Sequence, residues 1–378
     1  QGSITVKGDA VTLDDSKVKQ LQEYSIHSTN GSAVSVDSTS LTMNKGVAFQ
    51  GGGEMNLKAD KKVIIGPSTD LYKRSLEMTG GQLYVGGKEA ETALNGSVSI
   101  LGEYGKESAA TIDGNKITIN ASITPDNFGN SKDPDWLKRS KSMAIYDQDT
   151  DLTIGNDGTS STVINGNLDV GNNKTVIYGK EITINGLRGK EEWVHPAAIE
   201  THQPVQMTIG QAGTNQTSII GYLNFVPTGD YENVKGNEIS IAGQNVMLDN
   251  AGYDVLYAGN SKDVRIGSDF AGNTSENTVL KGTVKVSGLT KDGHFGIHGK
   301  NIVWSDGAEG DKSIENGVTN SHDAFISLNG GDNPFTIGDT DANVSVDGRI
   351  LSMNGDIDVN GKNIHLYEGT NKNQYVVL

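Results

Sequence analysis

Across residues 162 to 190, TVINGNLDVGNNKTVIYGKEITINGLRGK, apolar residues return two positions apart. Leu168 and Val170 flank an Asp, and Ile182 and Ile184 flank a Thr. In extended backbone each pair points to one side and the intervening polar residue to the other. The pattern predicts short strands buried on one side. Between them stand Gly166, Gly171, Asn172, Asn173 and Gly179, residue types that take left-handed backbone conformations at little steric cost. The stretch reads as strand, corner, strand, corner, and the same alternation of Ile, Val and Leu runs through most of the 378 residues.

Three phrases recur in a fixed order. The first ends in Ile-Gly: VIIG at Gly66, LTIG at Gly155, MTIG at Gly210, VRIG at Gly267 and FTIG at Gly338. The second is a Gly leading a strand: GSVSI from Gly96, GNLDV from Gly166, GYLNF from Gly221, GTVKV from Gly282 and GDIDV from Gly355. The third is GNKITI from Gly114, GKEITI from Gly179, GNEISI from Gly236, GKNIVW from Gly299 and GKNIHL from Gly361. A period of about sixty residues with unequal spacers fits stacked β-coils with insertions better than helical repeats, which carry 3.6-residue patterns. Three coils of about twenty residues per unit, some eighteen at about 4.8 Å each, predict a rod of roughly 85 Å. Whether the phrases are successive coils or sides of one coil is open at this level. Soft repeat boundaries fall near 1–120, 121–190, 191–245, 246–310 and 311–378 of a single solenoid, 1–378, with any break expected near 124–142 or 304–323.

Insertions interrupt the coils at 124–142, 186–204 and 304–323, and loops on a rigid scaffold carry most binding chemistry. They contain all three tryptophans, Trp136, Trp193 and Trp304, the last at a strand end. These, with Asp133, Asp135, Glu191 and Glu192, are the candidate binding-loop residues, either as a platform for a glycan or receptor or as aromatic cover over coil edges. Near the start, DDSKVKQLQEYS has the form of a short helix capped by Asp.

Composition supports the strand reading. There are 49 Gly, 7 Pro, 34% hydrophobic and 6% aromatic residues, a lean but patterned β profile unlike that of a disordered chain. No run approaches the roughly 20 apolar residues of a membrane-spanning helix, so no membrane insertion by this segment is expected. Lys and Arg total 31 against 47 acidic residues, a net charge of −16. Such a surface repels phosphate backbones, which makes nucleic acid an unsuitable partner.

Tandem Gly/Asn-rich short strands, no cysteine, an acidic balance and few aromatics resemble the passenger region of bacterial autotransporter (type V secreted) adhesins, over essentially the whole chain. The resemblance implies an all-β fold, a right-handed parallel β-helix (β-solenoid) with loop insertions. It also implies export through the outer membrane, display at the bacterial cell surface or secretion, and adhesion through self-association between rods or binding to a host or bacterial surface protein or glycan. The absence of cysteine suits a chain threaded unfolded through an oxidising periplasm. The chain ends NQYVVL without the strands of a translocating barrel and begins QGSITV without a signal peptide, so a processed or excised fragment is expected.

Parallel β-helices also host polysaccharide lyases and hydrolases, which need converging carboxylates with Arg or Lys on adjacent coils. Asp147, Asp149 and Asp151 alternate onto one strand face, but beside LTIG they read as an outward, solvated face. No Gly-x-Ser-x-Gly elbow occurs. DQDTD at 147–151 starts like a calcium loop and fails at its sixth position, Leu152, and its twelfth, Gly158. His294 and His298 in HFGIH have a zinc spacing only on a helix, which Gly293, Gly296 and Gly299 disfavour. No catalytic residue, cofactor or metal site is expected; weak calcium binding by carboxylate loops stays open. Outward Thr118, Thr183, Ser240 and Asn245 are expected to line polar ladders through which rods zip together. The rival readings are a polysaccharide-degrading β-helix enzyme and a trimeric, phage-fibre-like stalk.

Overall fold

The computed structural model describes residues 3–14, 24–29, 31–66, 74–103, 106–123, 141–186, 197–201, 203–226, 236–305, 323–329, 335–347, 349–352 and 356–367. They build a parallel β-solenoid divided into two compact units, Gln1–Gly186 and Leu187–Leu378. The division falls at the start of the second insertion rather than at the first or third. Of the segment read as a capped helix, 15–23 lies outside the described residues, and Tyr24 opens the strand Tyr24–Ser28. Among the described residues no helix is long and apolar enough to cross a membrane.

One coil of the first unit shows the plan. Gln82–Gly86, Glu91–Asn95 and Ser97–Leu101 form three successive sides, and the chain then returns so that Ala109–Asp113 pairs in parallel with the first. Alternate residues point inward and stack on their counterparts in the neighbouring coil. On the first side Leu57, Val85, Ile112, Ile154 and Ile177 form a continuous column. On the second, Ile65, Leu94, Ile119, Ile164 and Ile184 do the same. All ten are fully buried, each contributing about 1.5–3 kcal/mol of transfer free energy. The interior is therefore a set of apolar columns running from coil to coil.

The phrases are sides of coils, not whole coils, and in chain order they skip sides and run into the next coil. LTIG lies on a first side, GKEITI on a second and GNLDV on a third. A turn of the solenoid measures 25, 45 and 20 residues at the steps Asn95–Asn120, Asn120–Asn165 and Asn165–Asn185, the longest containing the 124–142 insertion. The sixty-residue unit of three coils is thus corrected to two: from MTIG to VRIG the first-side column takes two steps, Ile209 to Ile241 to Ile266, and from VRIG to FTIG two more through Ile297, because every side needs an inward apolar pair and corners repeatedly need glycine.

The second unit follows the same plan. Asn245–Ile266 and Asn277–Ile297 each pass round all three sides in extended backbone, and pair with each other at 245–249 with 277–281, at Leu256 with Val284, and at Val264 with Phe295. Ile209, Ile241, Ile266, Ile297 and Ile337 form one inward column. Leu248, Leu280, Trp304 and Val346 form another.

A threonine fastens the corner between the first and second sides. The Thr278 hydroxyl donates to the carbonyl of His298 in the next coil at 2.6 Å, and Thr92, Thr162 and Thr217 make the equivalent bond at 2.6 Å to Asp113, Tyr178 and Ala242. Thr278 sits between two glycines that must stay small. A Cβ on Gly267, whose φ is +79°, would lie 2.3 Å from the threonine oxygen, and one on Gly299, at φ +151°, would lie 2.8 Å from it. The Gly that ends the first phrase and the Gly that begins the third thus enclose the same hydroxyl. Thr278→Val is expected to lower unfolding free energy by about 1–3 kcal/mol, the range for leaving a buried polar group short of a partner. Urea unfolding checks this, and an unchanged midpoint would remove the fastening role.

Candidate functional site

The binding-loop residues named from sequence separate into two groups. Trp136, Trp193, Asp133, Asp135, Glu191 and Glu192 lie outside the described residues. Trp304 is placed and is not a binding-loop residue: it is 0% exposed, points into the core beside Leu280 and Val346, and donates its indole N–H to the carbonyl of Gly282 at 3.0 Å. Its parity with buried Ile302 was the signal that it faces inward.

The expected polar ladders exist in a different place. Thr118 and Thr183 share an outward column with Ala93 and Val163, so that row is mixed. Ser240 is buried and donates to the carbonyl of Ser268 at 3.0 Å. Asn245 does belong to a ladder. Side-chain amides of Asn277, Asn301, Asn343 and Asn363 each donate to the amide oxygen of the Asn in the coil before, at 2.7, 3.2, 2.9 and 2.8 Å, starting from Asn245. The first unit has its own ladder, Asn95, Asn120, Asn165 and Asn185, with bonds of 2.8, 2.8 and 2.7 Å. Sequence signalled both, since an Asn recurs at one fixed end of the second-side strands.

The two ladders differ in setting. In the first unit the Asn side chains are half-buried, and the other end of the second-side strands carries Lys62, Glu91, Lys116, Ser161 and Glu181, a mostly charged outer column. In the second unit all five Asn are exposed. Two residues further along the strands run Met247, Val279 and Val303, in register from coil to coil. Val303 is 48% exposed. An amide has two N–H donors and two acceptor lone pairs, and the ladder occupies one of each on Asn277 and Asn343. This side pairs an amide row with a stripe that is apolar over three coils and continues as Ser345 and His365.

A second cluster surrounds Asp147. Asp147, Asp149 and Asp151 do not share a strand face, because the chain turns a corner at Asp149, which has a φ of +57°. Nor is Asp147 solvated. It occupies the inward column Phe49, Met78, Ile100, Asp147 and Val170 on the third side, and is 0% exposed. The amide of Asn173, in the following coil, donates to its Oδ2, while Oδ1 has no hydrogen-bond partner. Asn172 donates to Asp149, and the backbone N–H of Lys174 donates to Asp151 at 3.1 Å. Burial, followed by the charges of Asp151 and Asp149, pushes the Asp147 carboxyl up to about 8. At pH 7 it is mostly the neutral acid. A group with no exposed surface does not touch a substrate in this conformation, so its raised value reports packing. Among the described residues no three His, Asp or Glu side chains converge on a metal position.

Comparison of the chain with family models, with curated proteins and with solved structures gives no match in any of the three.

Proposed function

We propose that the chain is the stalk of a surface-displayed bacterial adhesin, and that it binds copies of itself through the second side of the Leu187–Leu378 unit. The observation that carries this reading is the exposed ladder Asn245–Asn277–Asn301–Asn343–Asn363 beside the Met247–Val279–Val303 stripe. Repeated amides and β-branched side chains at a spacing of about 4.8 Å suit apposition of two such surfaces, with apolar contact between stripes and hydrogen bonds between amides. Each rung is weak, and simultaneous engagement of several multiplies the affinity. Surface display and export rest on the resemblance to autotransporter passengers.

Light scattering over a concentration series tests the proposal. The parent chain is expected to associate reversibly. Val303→Lys places a charge in the stripe without altering inward Ile302 or Trp304, so it is expected to abolish association while stability stays within about 0.5 kcal/mol. Undiminished association by the variant would exclude this surface. A fixed trimer would favour the fibre reading, and shortening of a glycan by the same sample would favour the enzyme.

A further inference from the structure

In regular extended backbone two residues four apart are about 13 Å from one another. The rings of His294 and His298 are nevertheless stacked, with centroids 6.0 Å apart and planes inclined by 21°. His294 lies within the strand Asn277–Ile297 and His298 just beyond its end. Gly296 lies between them and provides the space. A Cβ on residue 296 would lie 2.2 Å from Nε2 of His298 and 2.9 Å from Cε1 of each ring, so the two imidazoles lean together over a residue that must have no side chain.

Each ring is held by a carboxylate on its other nitrogen. Nδ1 of His294 is 3.3 Å from Oδ1 of Asp263, one coil before, and Nδ1 of His298 is 3.1 Å from Oδ1 of Asp339, one coil after. An ionised carboxylate only accepts, so Nδ1 of each ring carries the proton and, in the neutral ring, Nε2 presents a lone pair. The nearby cation is already engaged: Arg265 Nε reaches both oxygens of Asp263 at 3.1 and 3.0 Å, its Nη2 lies 2.9 Å from Oδ2, and the guanidinium rests over Phe270. Two imidazoles with free Nε2 atoms and carboxylate-anchored Nδ1 atoms have the donor type and outer-shell support of metal-ligating histidines. An anion would require both rings protonated.

We propose that His294 and His298 are the two protein ligands of a divalent transition-metal ion of the imidazole-preferring class, zinc, copper or nickel. Asp263 and Asp339 are positioning residues that fix the tautomer and ring orientation. With no third His, Asp or Glu converging among the described residues, water completes the coordination, and the ion is exchangeable rather than enclosed. His294 is 37% exposed, which gives the ion a path in.

The test uses the full chain with zinc(II) in titration calorimetry and copper(II) in electron paramagnetic resonance. One dominant site is expected, whose copper spectrum shows coupling to two imidazole nitrogens. His294→Ala and His298→Ala are each expected to weaken zinc binding at least tenfold, and Asp339→Asn by about tenfold, the usual effect of losing an outer-shell partner. Gly296→Ala is expected to abolish the site by filling it, whereas His365→Ala, on another side of the solenoid, leaves affinity unchanged. Circular dichroism confirms that each variant is folded. Unchanged zinc affinity in folded His294→Ala and His298→Ala, or a parent copper spectrum without two imidazole nitrogens, would overturn the proposal. The second result needs no variant.

Discussion

At pH 8 the Asp147→Asn chain is expected to be several kcal/mol more stable than the parent, and at pH 4 the two are expected to agree within about 1 kcal/mol. The Asp147 carboxyl titrates near 8 in the fold against an ordinary 3.8. Between those values the unfolded chain has released a proton that the folded chain retains. Stability therefore falls as pH rises, by about 1.4 kcal/mol per pH unit from this group, and flattens above 8. The full window corresponds to about 6 kcal/mol, an upper bound because a real core admits some relaxation. The groups responsible are burial in the Phe49–Met78–Ile100–Val170 column and the charges of Asp151 and Asp149; Asn173 supplies a single hydrogen bond in return. Asn carries no charge to desolvate and can still accept from Asn173, so the variant loses the pH dependence and keeps that contact. Denaturant unfolding of both chains at pH 4, 6 and 8 measures the difference, in which other titrating groups cancel. A gap independent of pH would show that Asp147 is not held as a buried acid.

Asp147 also marks where sequence reading stops. Leu168 and Val170, or Ile182 and Ile184, announce their strands because the inward residue is apolar and its neighbour polar. In Ile145-Tyr146-Asp147 the inward residue is a carboxylate, and only Ile100 below and Val170 above identify it as core. The corners posed the opposite problem. VIIG at Gly66 closes a second-side run and LTIG at Gly155 a first-side strand, because different corners draw on the same Gly chemistry. Phrases alone therefore established the solenoid but not the length of its coil. The His294–His298 pair was lost for a geometric reason: four residues apart on one strand face the two rings meet only because the residue between them on that face, Gly296, has no side chain. The asparagine ladders were legible in principle, as one residue type at one fixed strand position, although Asn245 alone among the expected rungs proved to be part of one.

Trp304→Ala is expected to cost about 3–5 kcal/mol in unfolding free energy, the range for removing a large aromatic from a packed core. The indole fills the second-side column between Leu280 and Val346, and its N–H satisfies the carbonyl of Gly282, whose φ of +130° places it at the corner leading to the third side. Truncation thus opens a cavity and leaves a buried acceptor short of its donor. Trp304→Phe separates these effects, with an expected loss of about 1–3 kcal/mol weighted toward the missing hydrogen bond. The position also discriminates between roles on adjacent residues of one strand. Val303 points outward into the proposed association surface and Trp304 inward, so Val303→Lys should change association and spare stability, while Trp304→Ala should do the reverse at temperatures where the variant remains folded. Urea midpoints and light scattering on the two variants measure both axes. If Trp304→Ala left stability intact and weakened association, the tryptophan would belong to the binding surface and the inward register of Asn301–Ser305 would be wrong.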